Sequence, residues 1–95
     1  MNERHPRQKA VAIQYNPLEY APKVVAKGGG VVAEKILERG LNADIPVHQD
    51  AALADDLTRI ELGAHIPPEL YDVVAKVLVF ISELDKLEGY KKNAR

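Results

Sequence analysis

The sequence predicts an α/β domain, with a small central sheet of about three strands, mixed in direction, flanked by three main helices. Three observations carry that expectation. Residues 10–15, AVAIQY, alternate with the period of a strand, and KVVAK at 23–27 is a second short β-branched run. Gly28, Gly29 and Gly30 then open onto a helical pattern. Beyond Pro67-Pro68 lies a long segment with an apolar stripe, enough helix to cover one face of the sheet.

Composition narrows the functional classes. Ninety-five residues, 46% apolar and 28% charged, suit one soluble globular domain with little stability to spare. The absence of cysteine excludes disulfides, a redox thiol and a cysteine-based zinc site. His5, His48 and His65 are too scattered for a metal set, and a net charge of −1 with mixed signs offers no basic face for nucleic acid. The longest apolar run, Val77 to Ile81, is too short to cross a bilayer, and no leader pattern precedes the first strand. A cytoplasmic monomer without direct membrane insertion and without a cofactor is expected. Thr58 and Ser82 are the only hydroxyl nucleophiles besides tyrosine, and neither has an activating histidine or acid at a suitable spacing.

Taken in order, residues 1–9 read as a flexible basic lead-in, with Arg4, Arg7 and Lys9, and residues 10–86 as the folded domain. In the first strand Val11, Ile13 and Tyr15 face one way and Ala12 and Gln14 the other. Asn16-Pro17 ends it, and the loop to Pro22 holds Tyr20 and Ala21. Adjacent Val24 and Val25 suggest a second strand covered on both faces. Val32, Ala33, Ile36 and Leu37 give the next helix its apolar side, with Gly40 expected at C′. DIPVH at 44–48 reads as a third strand, parallel to the second through a right-handed crossover, and Pro46 places it at an edge. Asp50 is an N-cap for a helix carrying Leu53, Leu57 and Ile60, with Gly63 as its stop. The last helix begins at Pro67-Pro68-Glu69 and runs through Val73, Val74, Val77, Leu78 and Ile81 to Leu84. Residues 87–95 form a basic tail, solvated like the lead-in.

One chemical motif stands out. A strand ending in Gly28-Gly29-Gly30 and opening a helix places backbone N–H groups where they can cradle an anion. The chain has neither a GxGxxG nor a GxxxxGK[ST] pattern, and no acid set for a ribose. A small anion- or nucleotide-binding βαβ protein is therefore the alternative function, and a tight strand-to-helix turn is the structural explanation of the same glycines.

The succession AVAIQYNP, APKVVAKG, DIPV and ELGAHIPPELYDVVAKVL, spanning Ala10 to about Leu84, resembles the cytoplasmic domain of the FlhB, YscU, EscU and SpaS family of flagellar and type III secretion export switch proteins. Its most specific pieces are VVAKG at 24–28 and IPPELY at 66–71. The resemblance implies a non-enzymatic protein-binding module that substitutes for or modulates the FlhB switch domain in substrate recognition. Its partners would be export apparatus proteins or export substrates, with recruitment to the membrane apparatus. It also implies an apolar recognition patch at Ala21, Pro22, Ala75 and Leu78, although Ala75 and Leu78 also suit ordinary core or flanking positions.

The departures from the family pattern carry their own expectations. Family members have transmembrane helices ahead of this domain, whereas this sequence reads as a soluble stand-alone form. They also cleave themselves between the Asn and Pro of an Asn-Pro-Thr-His motif. Here the matching positions are His5, Pro6, Arg7 and Gln8. An imidazole cannot close the ring that the asparagine amide forms on its own carbonyl, so autocleavage is expected to be absent. Asn16-Pro17 lacks the following Thr-His and reads as turn chemistry. The four residues ahead of His5 are too few for the strand that precedes the motif in the family, so the strand at 10–15 is expected either to offer an open edge to a partner's strand or to be guarded by Arg4, Arg7 and Lys9 folding over it.

Overall fold

Alternation along a strand decides which side chains can be buried together, and the computed structural model shows the result for residues 8–81. β1 (Lys9–Gln14) and β2 (Lys23–Gly29) form a two-stranded antiparallel sheet. Ala10 lies opposite Gly28, Val11 opposite Lys27 and Ala12 opposite Ala26. The register then slips, because Ile13 faces Val24 and Val25 is left as an extra residue in a bulge. The two valines consequently part company: Val24 is fully buried, whereas Val25 is 47% exposed. A strand covered on both faces is thus corrected to a bulged one.

The α/β class and the three helices are as expected, but the sheet is smaller and entirely antiparallel. Residues 44–48 are not a strand. The helix before them, α1 (Val31–Asn42), runs straight through Gly40, and Asp44 rather than glycine takes the left-handed position with φ 60°. The N–H of Ile45 bonds to Gly40 O and that of Asp44 to Leu41 O, the paired bonds of a Schellman ending. With those amides turned back onto the helix and Pro46 lacking one, this stretch has few donors left for a ladder. The predicted parallel crossover is absent from the described residues.

The second edge of β2 is instead approached from much later in the chain. Lys23 and His65 form an antiparallel bridge. Val24 N–H donates to Ala64 O (3.0 Å), Gly63 N–H to Val24 O (2.7 Å) and Ile66 N–H to Pro22 O (2.7 Å). Gly63, with φ 84°, makes the turn into this segment instead of stopping a helix. α2 (Ala51–Leu57) ends earlier than its apolar spacing suggested, and Asp50 caps its start by accepting from Leu53 N–H at 3.1 Å. After a 3₁₀ turn at Pro68–Leu70 comes α3, helical over 71–81. The continuation to Leu84, the lead-in at 1–7 and the tail at 87–95 lie outside the described residues.

The sheet has two unlike faces. α1 packs on the side of Gly28, where an added Cβ would fall 2.2 Å from Val32 Cγ1, and Ala10 and Ala33 are buried. On the other side Val24, Leu53, Leu57, Ile66 and Val74 form the core, flanked by Val11, Ile13, Ile60, Leu70, Val77 and Leu78. α2 and α3 supply most of it. Among the described residues, β1 pairs with β2 alone.

Candidate functional site

The loop joining the strands is shaped by its own sequence. Asn16 Oδ1 accepts from Leu18 N–H and Asn16 O from Glu19 N–H, both at 2.9 Å, so Asn16-Pro17 serves as a turn. The turn lifts Leu18 and Tyr20 into solvent, 93% and 79% exposed. Ala21, by contrast, is 3% exposed, and Pro22 is half-buried. Of the four residues expected in a recognition patch, Ala21 is therefore a support beneath the surface and Pro22 is accessible in part. On α3, Ala75 is exposed, while Leu78 is half-buried and packs against the core. Three residues apart, these two share one side of the helix. Ile66 links the two halves of the set. Its N–H holds Pro22 O, and its side chain is buried in the cluster that includes Val74 of α3.

A group of polar side chains surrounds the loop. His65 Nε2 lies 2.7 Å from Glu19 Oε1, and His65 Nδ1 lies 3.2 Å from the Tyr20 hydroxyl. The Tyr20 and His65 rings are tilted together with centroids 4.5 Å apart. Lys23 Nζ is 3.6 Å from Glu19 Oε2. The hydrogen bond from His65, reinforced by the charge of Lys23, holds the Glu19 carboxyl below its ordinary value. This group escaped the sequence reading because its members are 45 and 46 residues apart. In sequence, His65 appeared only as one of three scattered histidines.

Lys27 is a second residue whose role the sequence did not disclose. Its Nζ donates to Thr58 O at 3.0 Å and to Ile60 O at 2.7 Å. A cation is thereby fixed on the free carbonyls just past the C-terminal end of α2, where the helix dipole is negative. VVAKG thus combines a core valine, a helix-end clamp and a glycine that admits α1. The neighbouring glycines have structural tasks as well. Gly30, with φ 58°, precedes α1, and its N–H donates to Gln8 O at 2.8 Å. Of the degenerate cleavage positions, His5, Pro6 and Arg7 lie outside the described residues. Gln8 has its carbonyl on Gly30 and its side-chain Oε1 shut away from solvent.

These features define a small α/β domain with one exposed, internally braced loop beside a partly apolar helix. Residues 4–81 match the FlhB HrpN YscU SpaS Family, and the chain belongs to that family. It is 36% identical to the uncharacterized protein YlqH of Bacillus subtilis (strain 168), over 93 residues that make up 97% of this chain and 100% of that protein. With the flagellar biosynthetic protein FlhB of Yersinia enterocolitica it shares 45% identity over 84 residues, 86% of this chain and 22% of FlhB. With the hypersensitivity response secretion protein HrcU of Ralstonia nicotianae it shares 36% over 81 residues, covering 84% and 23% of the two chains. The chain thus spans all of one small relative and less than a quarter of these two longer ones. No helix among the described residues is long and apolar enough to cross a membrane.

Proposed function

We propose that this chain is a protein-binding module of flagellar or type III protein export, substituting for or modulating the corresponding part of FlhB in substrate recognition. The observation that carries this reading is the span of the resemblance. The 84 residues shared with a flagellar FlhB at 45% identity amount to 86% of this chain, and the family match at residues 4–81 takes in every described residue. The docking surface consists of Pro22, Ala75 and the accessible part of Leu78, with buried Ala21 fixing the level of Pro22. A half-buried proline is suited to this role because it is apolar and rigid at once. The module works by binding alone, without self-cleavage, because His5 replaces the asparagine that the ring-closing step requires. It acts in the cytoplasm, next to the membrane export apparatus.

The anion-binding alternative has less support. Gly30 N–H already has an acceptor, and Gly28 is explained by the approach of Val32.

The reading is tested by pull-down from the native host's cytosol with the wild type, Pro22→Asp and Ala75→Asp, each checked by circular dichroism. Export-apparatus proteins or export substrates should be recovered by the wild type and fall at least about tenfold in the folded variants, as expected for a charge placed in an apolar contact. Recovery that neither substitution alters would remove the proposed surface. Recovery of no export component would remove the export role.

A further inference from the structure

The loop between β1 and β2 has little burial to keep it in place. Leu18 and Tyr20 are almost fully in solvent, and Ala21 is the only residue of 15–22 that reaches the interior. Order at Glu19 and Tyr20 must then come from the local turn and from polar contacts, which converge on His65. One neutral tautomer satisfies both of those contacts. With the proton on Nε2, the ring donates to Glu19 Oε1 and leaves Nδ1 free to accept from the Tyr20 hydroxyl. Lys23 closes the set on the far oxygen of Glu19. His65 belongs to the segment whose backbone bonds Pro22 and Val24 and whose chain continues through Pro67 and Pro68 into α3.

We propose that Glu19, Tyr20 and His65 form a latch that holds this loop in one shape, with His65 as the positioning residue between the loop and the segment leading to α3. Without the imidazole, the turn at Asn16 remains but its outer half swings free, and Pro22 is presented over a range of orientations. With it, a partner meets a loop already ordered, so less conformational freedom is lost on docking. The latch stands on its own contacts; its importance for docking rests on the function proposed above.

Amide ¹⁵N relaxation on the full chain tests this without any partner. In the wild type, order parameters at Glu19 and Tyr20 should be about 0.85, the value of rigid backbone, and His65→Ala should bring them below about 0.6. Val24 and Ile66 should stay rigid. His65→Gln, which keeps a side-chain N–H for Glu19, should restore much of the order, as a merely space-filling residue would not. A long-range ¹H–¹⁵N spectrum of the ring should show the Nε2–H tautomer. Should His65→Ala not fold, Tyr20→Phe removes a single hydroxyl and should loosen Tyr20 by itself. A loop equally ordered in the folded variants, or a ring protonated on Nδ1 alone at neutral pH, would overturn the latch. Normal relaxation changes together with a Pro22→Asp variant that still captures export proteins would leave the latch standing and remove its docking role.

Discussion

The two faces of the sheet are held by different means. Towards α1 the strands present Ala10, Ala12, Ala26 and Gly28, so helix and sheet approach closely with little apolar bulk between them. Towards α2 and α3 they present Val11, Ile13 and Val24, which meet Leu53, Leu57, Ile66 and Val74. The first face depends on the absence of atoms and the second on their presence. Only the second continues into the residues proposed for docking, because Ile66 binds Pro22 and Leu78 flanks the core. The larger core and the proposed docking surface therefore share one side of the molecule, with α1 on the other.

This contrast can be broken in a definite order. Ile66→Ala empties a site that is 1% exposed and should cost about 2–5 kcal/mol in chemical denaturation, the range for large-to-small changes in a core. Gly28→Ala should cost about 1–3 kcal/mol by overpacking. Adding Val32→Ala should recover part of that loss, since the new Cβ would collide with Val32 and not with backbone. A double variant no better than Gly28→Ala would show that the α1 face is not governed by this approach. A ranking with Gly28→Ala above Ile66→Ala would reverse the assignment of the larger share of stability to the core face. The smallest effect should come from acid. Glu19 is held low chiefly by His65, and Asp55 by its hydrogen bond and ion pair with Lys9. Both folded values lie below the unfolded ones, so the unfolded chain binds more protons in this range. Their contribution is complete above the ordinary carboxylate values and is lost as pH falls through the folded ones. The urea midpoint should decline over that window in the wild type and less steeply in Glu19→Gln and Asp55→Asn. Equal slopes in all three would refute the assignment.

Much of this arrangement was legible in the residues. The two strands, the Asp50 cap, the turn at Asn16-Pro17 and three helices follow from local chemistry, and VVAKG and IPPELY pointed to the family. What local chemistry could not supply was the partner for the second edge of β2. DIPVH has a strand-like composition, but the donors it would need are taken up where α1 ends at Asp44. Residues 63–66 have no strand-like alternation, yet they provide the pairing because Gly63 turns the chain back along Val24. The candidate patch was legible as residue types and not as exposure, so Ala21 was expected on the surface but lies beneath it. The polar group around His65 was out of reach for a simpler reason. Its members are far apart in sequence, and none carries a distinctive local pattern.

The extra residue at Val25 gives β2 a change of parity. Before the bulge, Val24 points to the core; after it, Lys27 does so too, three positions on instead of two or four. A single strand therefore clamps the end of α2 with one residue and fills the core with another while still turning Gly28 towards α1. Pulling the strand straight with every residue kept would instead set Val25 opposite Ile13 and break the agreement between the two halves. If the C-terminal half kept its place, Val24 would turn outwards and the loop bearing Pro22 would leave towards the opposite side of the sheet. The position of the loop is in this sense set by arithmetic along the strand, several residues from the loop itself.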